Sequence, residues 1–449
     1  MRLSSFWAVI FVVAGLNAEI ASAADWQAGF SKVVITPEQP MFASGYGGRN
    51  KPSAGQVNEL HGRVAALRDP SGKTVVFLST DLIGVPVKMA KVLCDHAERK
   101  HGLKRADVMI TCSHTHCGPA LDHTLSYMLD MKEKDWEQVR RYQQILNAKL
   151  MALIDRAMAD LSPAQLATGS GVSRFAANRR DPKGLGPYDH AVPVLRISSA
   201  DGKTLRGVIF GYACHSTVLS FYNWCSDYGG FAMDFLEEQH PGATALFFAG
   251  CGGDQNPLPR RKVELSQKYG RMLAFGVERV LETRMKSVGG TLRTDFRHVN
   301  LEFASLPSKS DLEKTLKGSS RYERARAGVL LKQYARDGEL SKTYPCPVQV
   351  WEVGDNVTWV ALGGEVVVDY AVRLKRELGN NRTWVTGYAN DVMAYIPSER
   401  VLEEGGYEGG SSMLYYQLPS PWKSGLEAAI VKAVVEMSTD LRKRTADTN

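Results

Sequence analysis

Cysteine is scarce in this sequence, with 7 in 449 residues. That is too few for a disulfide scaffold, and the odd number leaves one thiol unpaired in a monomer. Buried, inert thiols filling small gaps are the expectation for them, including Cys112, Cys117, Cys214 and Cys251, which flank the motifs below. Long apolar runs are also missing. Phe6 to Leu16 is too short to cross a bilayer, and no later stretch reaches spanning length. Basic stripes are absent as well: the net charge is only +7, and the clusters Arg179-Arg180 and Arg260-Arg261-Lys262 are short. A nucleic-acid partner is excluded on that ground. The chain has no internal repeat and no low-complexity linker. Its hydrophobic content of 44% and charged content of 23% are those of an ordinary globular enzyme.

The amino terminus has the parts of a secretory signal peptide. Met1-Arg2 give a positive start, Phe6 to Leu16 an apolar core, and Ala21-Ser22-Ala23 a small-residue cleavage site. No cysteine follows the apolar run, so no lipoprotein anchor is expected. A signal peptide over 1–23 implies export, to the periplasm or beyond the cell. The remaining 24–449, roughly 425 residues, can bury a large core as one domain, with a subdivision near residue 345 as an option.

Strand-like runs recur at Lys32 to Ile35, Val64 to Leu67, Thr74 to Leu78, Asp107 to Thr111, Val192 to Ile197, Arg206 to Tyr212 and Ala243 to Ala249. Helical stretches alternate with them at Val87 to Lys100, Trp136 to Ala159 and Leu265 to Lys286. The pattern predicts an α/β fold with a large central mixed sheet flanked by helices. Lys309 to Lys342 reads as a charged helical insert with a solvated face. Val348 to Val353 and Val357 to Leu362 read as a hairpin around Gly354-Asp355-Asn356. The tail Leu441 to Asn449 is polar and expected to fray.

Chemistry concentrates where strands end. Thr111-Cys112-Ser113-His114-Thr115-His116-Cys117-Gly118-Pro119 follows an apolar strand and stops at a Gly-Pro break. Positions two apart in an extended segment face the same way, so His114 and His116 are expected to converge. Such a pair suits zinc, and serves equally well as a structural pair. A second strand runs into Ala213-Cys214-His215-Ser216-Thr217. A third ends in Gly250-Cys251-Gly252-Gly253-Asp254-Gln255-Asn256-Pro257, where glycines let backbone approach a ligand and Asp254 is available to orient a ligand histidine. Leu362-Gly363-Gly364-Glu365 puts a carboxylate before a helix expected to start near Val366. Gly387-Tyr388 through Tyr395-Ile396-Pro397 brings two tyrosines into a polar turn, which composition alone reads as structural.

In this order, these segments resemble the neutral/alkaline ceramidase family of non-lysosomal zinc amidases. His114-Thr115-His116-Cys117-Gly118-Pro119 resembles its THTHSGP block, and Cys214-His215-Ser216-Thr217 its VHPTS block. Gly253-Asp254-Gln255-Asn256-Pro257 resembles GDVSPN, and Gly364-Glu365 resembles PGE. Asn390 to Ile396, followed by Tyr407-Glu408-Gly409-Gly410-Ser411, is similar to NxYxGYI followed by RYEGAS. Ile35-Thr36-Pro37 with Gly45-Tyr46-Gly47 also fits the family's opening. The resemblance implies one zinc ion held by His114, His215, Glu365 and Tyr395, a donor set suited to that metal with room for a water. It implies a hydrolase of sphingolipid type acting on an amide (N-acyl) bond. His116, Asp254 and Asn256 are then expected in the catalytic group, and Arg179 and Tyr388 at the substrate.

Two departures stand out. Asn256 occupies the position of the family's essential serine, and about forty residues follow the Tyr-Glu-Gly-Gly block, where larger ceramidases carry an immunoglobulin-like domain. The substitution predicts weak ceramide cleavage and a more polar substrate. Two rival readings are a zinc hydrolase of a glycan or other polar compound and a non-catalytic zinc-binding relic of the fold.

Overall fold

The computed structural model describes residues 26–122, 125–181 and 183–446. The signal peptide read over 1–23 lies outside the described residues. No described helix is long and apolar enough to cross a membrane.

The main sheet is mixed. Its strands are β1 (Trp26–Val34), β2 (His61–Arg68), β3 (Thr74–Thr80), β4 (Val108–Cys112), β5 (Ser162–Val172), β6 (Ala191–Ser199), β7 (Leu205–Tyr212) and β8 (Thr244–Ala249). The order is β4-β3-β2-β1-β5-β6-β7-β8, with Lys286–Ser287 added against β5. Neighbours are antiparallel except at the two margins, where β3–β4 and β7–β8 run parallel. A parallel pair needs a crossover, and α1 (Val87–His101) and α3 (Asp227–Gln239) supply the two. In α1 the buried residues Met89, Ala90, Leu93, Cys94 and Ala97 recur at helical spacing. Gly102 then ends the helix with φ 69°, the left-handed conformation that favours glycine.

A second sheet consists of β9 (Leu292–Glu302), β10 (Thr343–Val353), β11 (Val357–Leu362) and β12 (Thr383–Thr386). The expected hairpin joins β10 to β11, with Val353 opposite Val357. The parallel β11–β12 pair is crossed by α7 (Asp369–Leu378). One face of the main sheet packs on this second sheet through an aromatic layer. Trp359 lies 4.8 Å from Phe77 and 5.0 Å from Phe248, ring centre to ring centre. The other face is covered by helices, among them α2 (Glu133–Ala159) and α4 (Val263–Leu281). With apolar layers on both sides, every residue of β3 is buried.

The main sheet curls until its margins meet: Ser79 Oγ on β3 donates to the Phe247 carbonyl on β8 at 2.5 Å. The carboxyl ends of β4, β7, β8, β11 and β12 therefore open toward one place. Single bridges lock them there, Thr111 to Ala389 and Gly250 to Thr386.

The structure refines several expectations. Residue 345, the optional subdivision, lies inside β10, and the second layer begins earlier, at Leu292. The insert is two helices, α5 (Lys309–Leu316) and α6 (Arg321–Asp337), capped by the Ser308 and Ser320 hydroxyls, with a small core of Leu312, Ala327, Leu330 and Leu340. The tail expected to fray is helical to residue 446, as the end of α8 (Leu426–Ala446). The helix expected near Val366 is α7, which starts at Asp369, and Glu365–Val366 before it is a short strand parallel to Tyr395–Ile396.

Candidate metal centre

That short strand pair has a direct consequence, because its register sets Glu365 opposite Tyr395. The two residues are thirty apart in sequence but adjacent in the centre. Gly364, at φ 82°, makes the turn into the strand, where a Cβ would lie 2.7 Å from the Ala394 carbonyl oxygen.

The histidines converge in a different way from the one their spacing suggests. β4 ends at Cys112, and His114 adopts φ 57°. It is this turn, rather than strand alternation, that brings His116 Nε2 within 3.2 Å of His114 Nε2. Gly45 makes room for it, since a Cβ there would lie 2.4 Å from His116 Nδ1. His114, His116 and His215 form a buried group able to hold a metal ion, with their ligand atoms all within 4.8 Å of one another.

Glu365 Oε2 lies 3.2 Å from His114 Nε2 and 3.0 Å from His215 Nε2. Tyr395 Oη lies 3.2 Å from His215 Nε2. Ligands at about 2.0–2.1 Å around a tetrahedral ion are separated by roughly 3.3 Å, close to these edges. The tautomers fit too. His114 Nδ1 bonds the Ile83 carbonyl at 2.5 Å and His215 Nδ1 bonds the Gly252 carbonyl at 2.6 Å. Each Nδ1 thus carries the proton, and each Nε2 lone pair faces Glu365.

Charge makes the same case. Burial, then the nearby Arg179, pushes the His215 imidazole down to about 4. Burial alone would raise Glu365; positive charge at His114 and His215 outweighs it and holds the carboxyl well below its usual range, and with those rings neutral a bound cation has to supply that charge. Glu365 Oε2 is buried and has no aligned hydrogen-bond donor among the described residues. A buried carboxylate facing two imidazole lone pairs is costly without a cation, and a divalent ion among them removes that cost. The donor set fits zinc.

Residues 26–250 match the model of the family described as neutral/alkaline non-lysosomal ceramidase, N-terminal. The chain belongs to this family. It is thereby a hydrolase of the neutral ceramidase type. Among solved structures, the neutral ceramidase from Pseudomonas aeruginosa matches with a TM-score of 0.73 at 20% identity, over 94% of this chain and 75% of that one. A ceramidase structure described as complexed with C2 gives the same TM-score and identity, over 94% and 76%. At that identity these likenesses establish the shared fold. No curated protein sequence matches significantly. His114, His116 and His215 lie within the ceramidase match, whereas Asp254, Asn256, Glu365 and Tyr395 lie beyond residue 250.

The remaining sequence-chosen residues of this ceramidase-family site fall into two groups. Arg179 and Asn256 stand beside the cluster. Arg179 donates to Tyr395 Oη at 3.0 Å and to Glu408 at 2.6 Å, and its Nη1 is 3.5 Å from Asn256 Oδ1. Asn256 Oδ1 is also 3.5 Å from Thr217 Oγ1, at the outer limit of hydrogen bonding. Tyr388 and Asp254 stand behind it. Tyr388 is fully buried, its ring 4.4 Å from that of His114. Asp254 does not orient a histidine. It accepts from Val368 N at 3.0 Å, Asn178 at 2.9 Å and Gln255 at 3.1 Å, pinning the loop to the next segment. His114 and His215 need no such help, because backbone carbonyls already hold them.

Sequence reasoning missed Tyr416, whose hydroxyl donates to Glu365 Oε1, and Glu408, which pairs with both Arg179 and Arg180. Glu408 sits inside a quoted block and was findable. Tyr416, in a run of ordinary polar and aromatic residues, carries no local signal. All seven cysteines are buried and free, and burial pushes the thiols up, Cys117 to about 12.

Proposed function

We propose that the chain is an exported, zinc-dependent amidohydrolase that cleaves the N-acyl bond of a ceramide-like amphiphile. Family membership supports the reaction class, and the N-terminal sequence supports export. The observation that carries the reading is the buried Glu365 carboxylate turned toward two imidazoles whose protons point away from it.

His114, His215, Glu365 and Tyr395 would hold the ion. Zinc bound there supplies Lewis acidity and lowers the pKa of its water to about 7. Tyr416 and Arg179 steady the outer oxygens of Glu365 and Tyr395. His116 differs from the other two histidines, since its Nδ1 has no hydrogen-bond partner among the described residues. Ligand imidazoles are normally fixed through their second nitrogen, so His116 is assigned to proton transfer. Burial, with the His114 and His215 rings, holds it well below its ordinary pKa, and it is neutral at pH 7. Its Nε2 accepts a proton near the scissile bond and returns it to the departing amine. Asn256 presents its Oδ1 to Arg179 and Thr217, which leaves Nδ2 to donate to the developing oxyanion.

The test is turnover of N-acyl amides by purified protein, with chelation and zinc restoration as controls. We expect chelation to abolish activity and zinc to restore it. Asn256→Ser should raise activity on long-chain ceramide relative to the wild type. Hydrolysis that survives complete metal removal contradicts the proposal.

A further inference from the structure

Two arginines near the metal cluster are neutralised by no acidic group among the described residues. Arg260 Nη1 lies 3.5 Å from Thr217 Oγ1, and Arg261 Nη1 donates to Tyr46 Oη at 2.8 Å. Neither forms an ion pair with a carboxylate among the described residues. The contrast with their counterparts is sharp: Arg179 and Arg180 share Glu408, and Arg180 also reaches Glu404. The nearby Asp227 is occupied by the Leu219 and Tyr228 amides and the Ser266 hydroxyl.

Both side chains lead to the metal cluster. From Arg260 the links run through Thr217, Asn256, Arg179 and Tyr395 to His215. On the other flank the Arg261 guanidinium lies 5.3 Å from the centre of the Tyr46 ring, and that ring is 4.8 Å from His116. A third guanidinium, Arg49, is buried 5.1 Å from the same ring and, among the described residues, bonds carbonyls and the Cys117 thiol. Arg260 is half-buried and Arg261 exposed, so the pair borders solvent. Burial and the charges of Arg261 and Arg179 push the Arg260 guanidinium down, as expected where like charges meet without an anion. Arg261 holds this position at φ 89°, an unusual backbone conformation for a non-glycine residue.

We infer that Arg260 and Arg261 bind an oxyanion carried on the substrate, which makes the preferred substrate an N-acyl compound with an acidic polar end. Arginine forks pair with carboxylate or phosphate oxygens through two parallel bonds, and a charge bound there lies beside the scissile region. The acyl part of this statement rests on the amidohydrolase reading; the anion subsite does not.

The experiment measures binding first, on the full-length protein with a chelator present to stop turnover. Three probes are titrated: N-octanoylglycine, its neutral methyl amide, and N-octanoyl-aminoethyl phosphate. At least one acid should bind about 10- to 100-fold tighter than the methyl amide, the scale of charge-assisted hydrogen bonds, and the tighter acid names the anion. In Arg260→Gln/Arg261→Gln the acid-to-amide ratio should fall to near 1, while Arg260→Lys/Arg261→Lys should retain part of it. Two results overturn the inference: acids that bind the wild type no better than the methyl amide, or a ratio that survives the Gln pair. The wild-type ratio decides alone if the variants fail to fold. Turnover by the zinc-loaded protein is then scored separately. Acid-selective binding without amide hydrolysis leaves the subsite standing and removes the amidohydrolase reading; hydrolysis without acid selectivity does the reverse.

Discussion

Among the described residues, two groups of side chains bring ligand atoms within 4.8 Å of one another, His114-His116-His215, which stands beside Glu365, and His96-His101 with Asp155. Composition does not separate them; surroundings do. In the first, the His114, His215 and Glu365 side chains are 1–2% exposed, both ligand-type histidines donate their Nδ1 protons to carbonyls, and Glu365 Oε2 has no aligned donor. In the second, on α1 and α2, the side chains are 15–22% exposed and Asp155 is already satisfied. It accepts from Lys100 at 2.7 Å and meets the two imidazoles at 2.7 and 2.8 Å. Burial raises the Asp155 carboxyl, but Lys100 and the imidazoles outweigh it and hold it well below its ordinary value. A carboxylate with a lysine on it is an ion-pair centre. One whose buried oxygen faces imidazole lone pairs with no aligned donor among the described residues suits a cation.

The comparison breaks most decisively through the ligands. His114→Ala or His215→Ala should take zinc from about one per chain to almost none, because too few donors remain. His96→Ala should leave the metal content intact. Elemental analysis of the three purified variants checks this, and metal loss in His96→Ala alone would reverse the assignment. Next in size is His116→Ala. It should retain zinc while turnover falls by roughly 10²- to 10⁴-fold, the scale of a lost acid–base group. Parallel loss of metal and activity makes His116 a ligand instead.

A smaller effect is expected from Tyr416→Phe, which removes the hydroxyl on Glu365 Oε1. Zinc affinity, measured by chelator competition, should weaken about 10- to 100-fold. The smallest belongs to the surface group. The Asp155 carboxyl is lowered in the fold, so the stability it contributes is present above its unfolded value of about 3.9 and is lost as pH falls below that. Asp155→Asn should cost at most about 1 kcal/mol near pH 7. It should also flatten the acid limb of a plot of Tm against pH, without changing zinc content.

Much of this architecture could be read from sequence because it rests on local signals. β3, β7 and β8 are apolar runs, and the amphipathic period of α1 is plain. The histidines stand out because each follows a strand. What escaped depends on contacts made at a distance. β5 is written Ser-Pro-Ala-Gln-Leu-Ala-Thr-Gly-Ser-Gly-Val and is not among the strand-like runs. Its glycines are there because α4 crosses closely: a Cβ at Gly171 would lie 2.4 Å from the Gly276 carbonyl oxygen. Glu365 resembled a helix cap because its partner strand lies thirty residues on. Asp254 looked like a histidine's anchor because no pattern reveals that the Ile83 and Gly252 carbonyls already fill that role.

The central claim is that the metal sits in the buried group and nowhere else in the described chain. Anomalous diffraction at the zinc edge, from crystals of protein supplied with one equivalent of zinc, tests it most directly. We expect one strong peak among His114 Nε2, His215 Nε2, Glu365 and Tyr395 Oη. A single peak among His96, His101 and Asp155, or none in the buried group, contradicts the account.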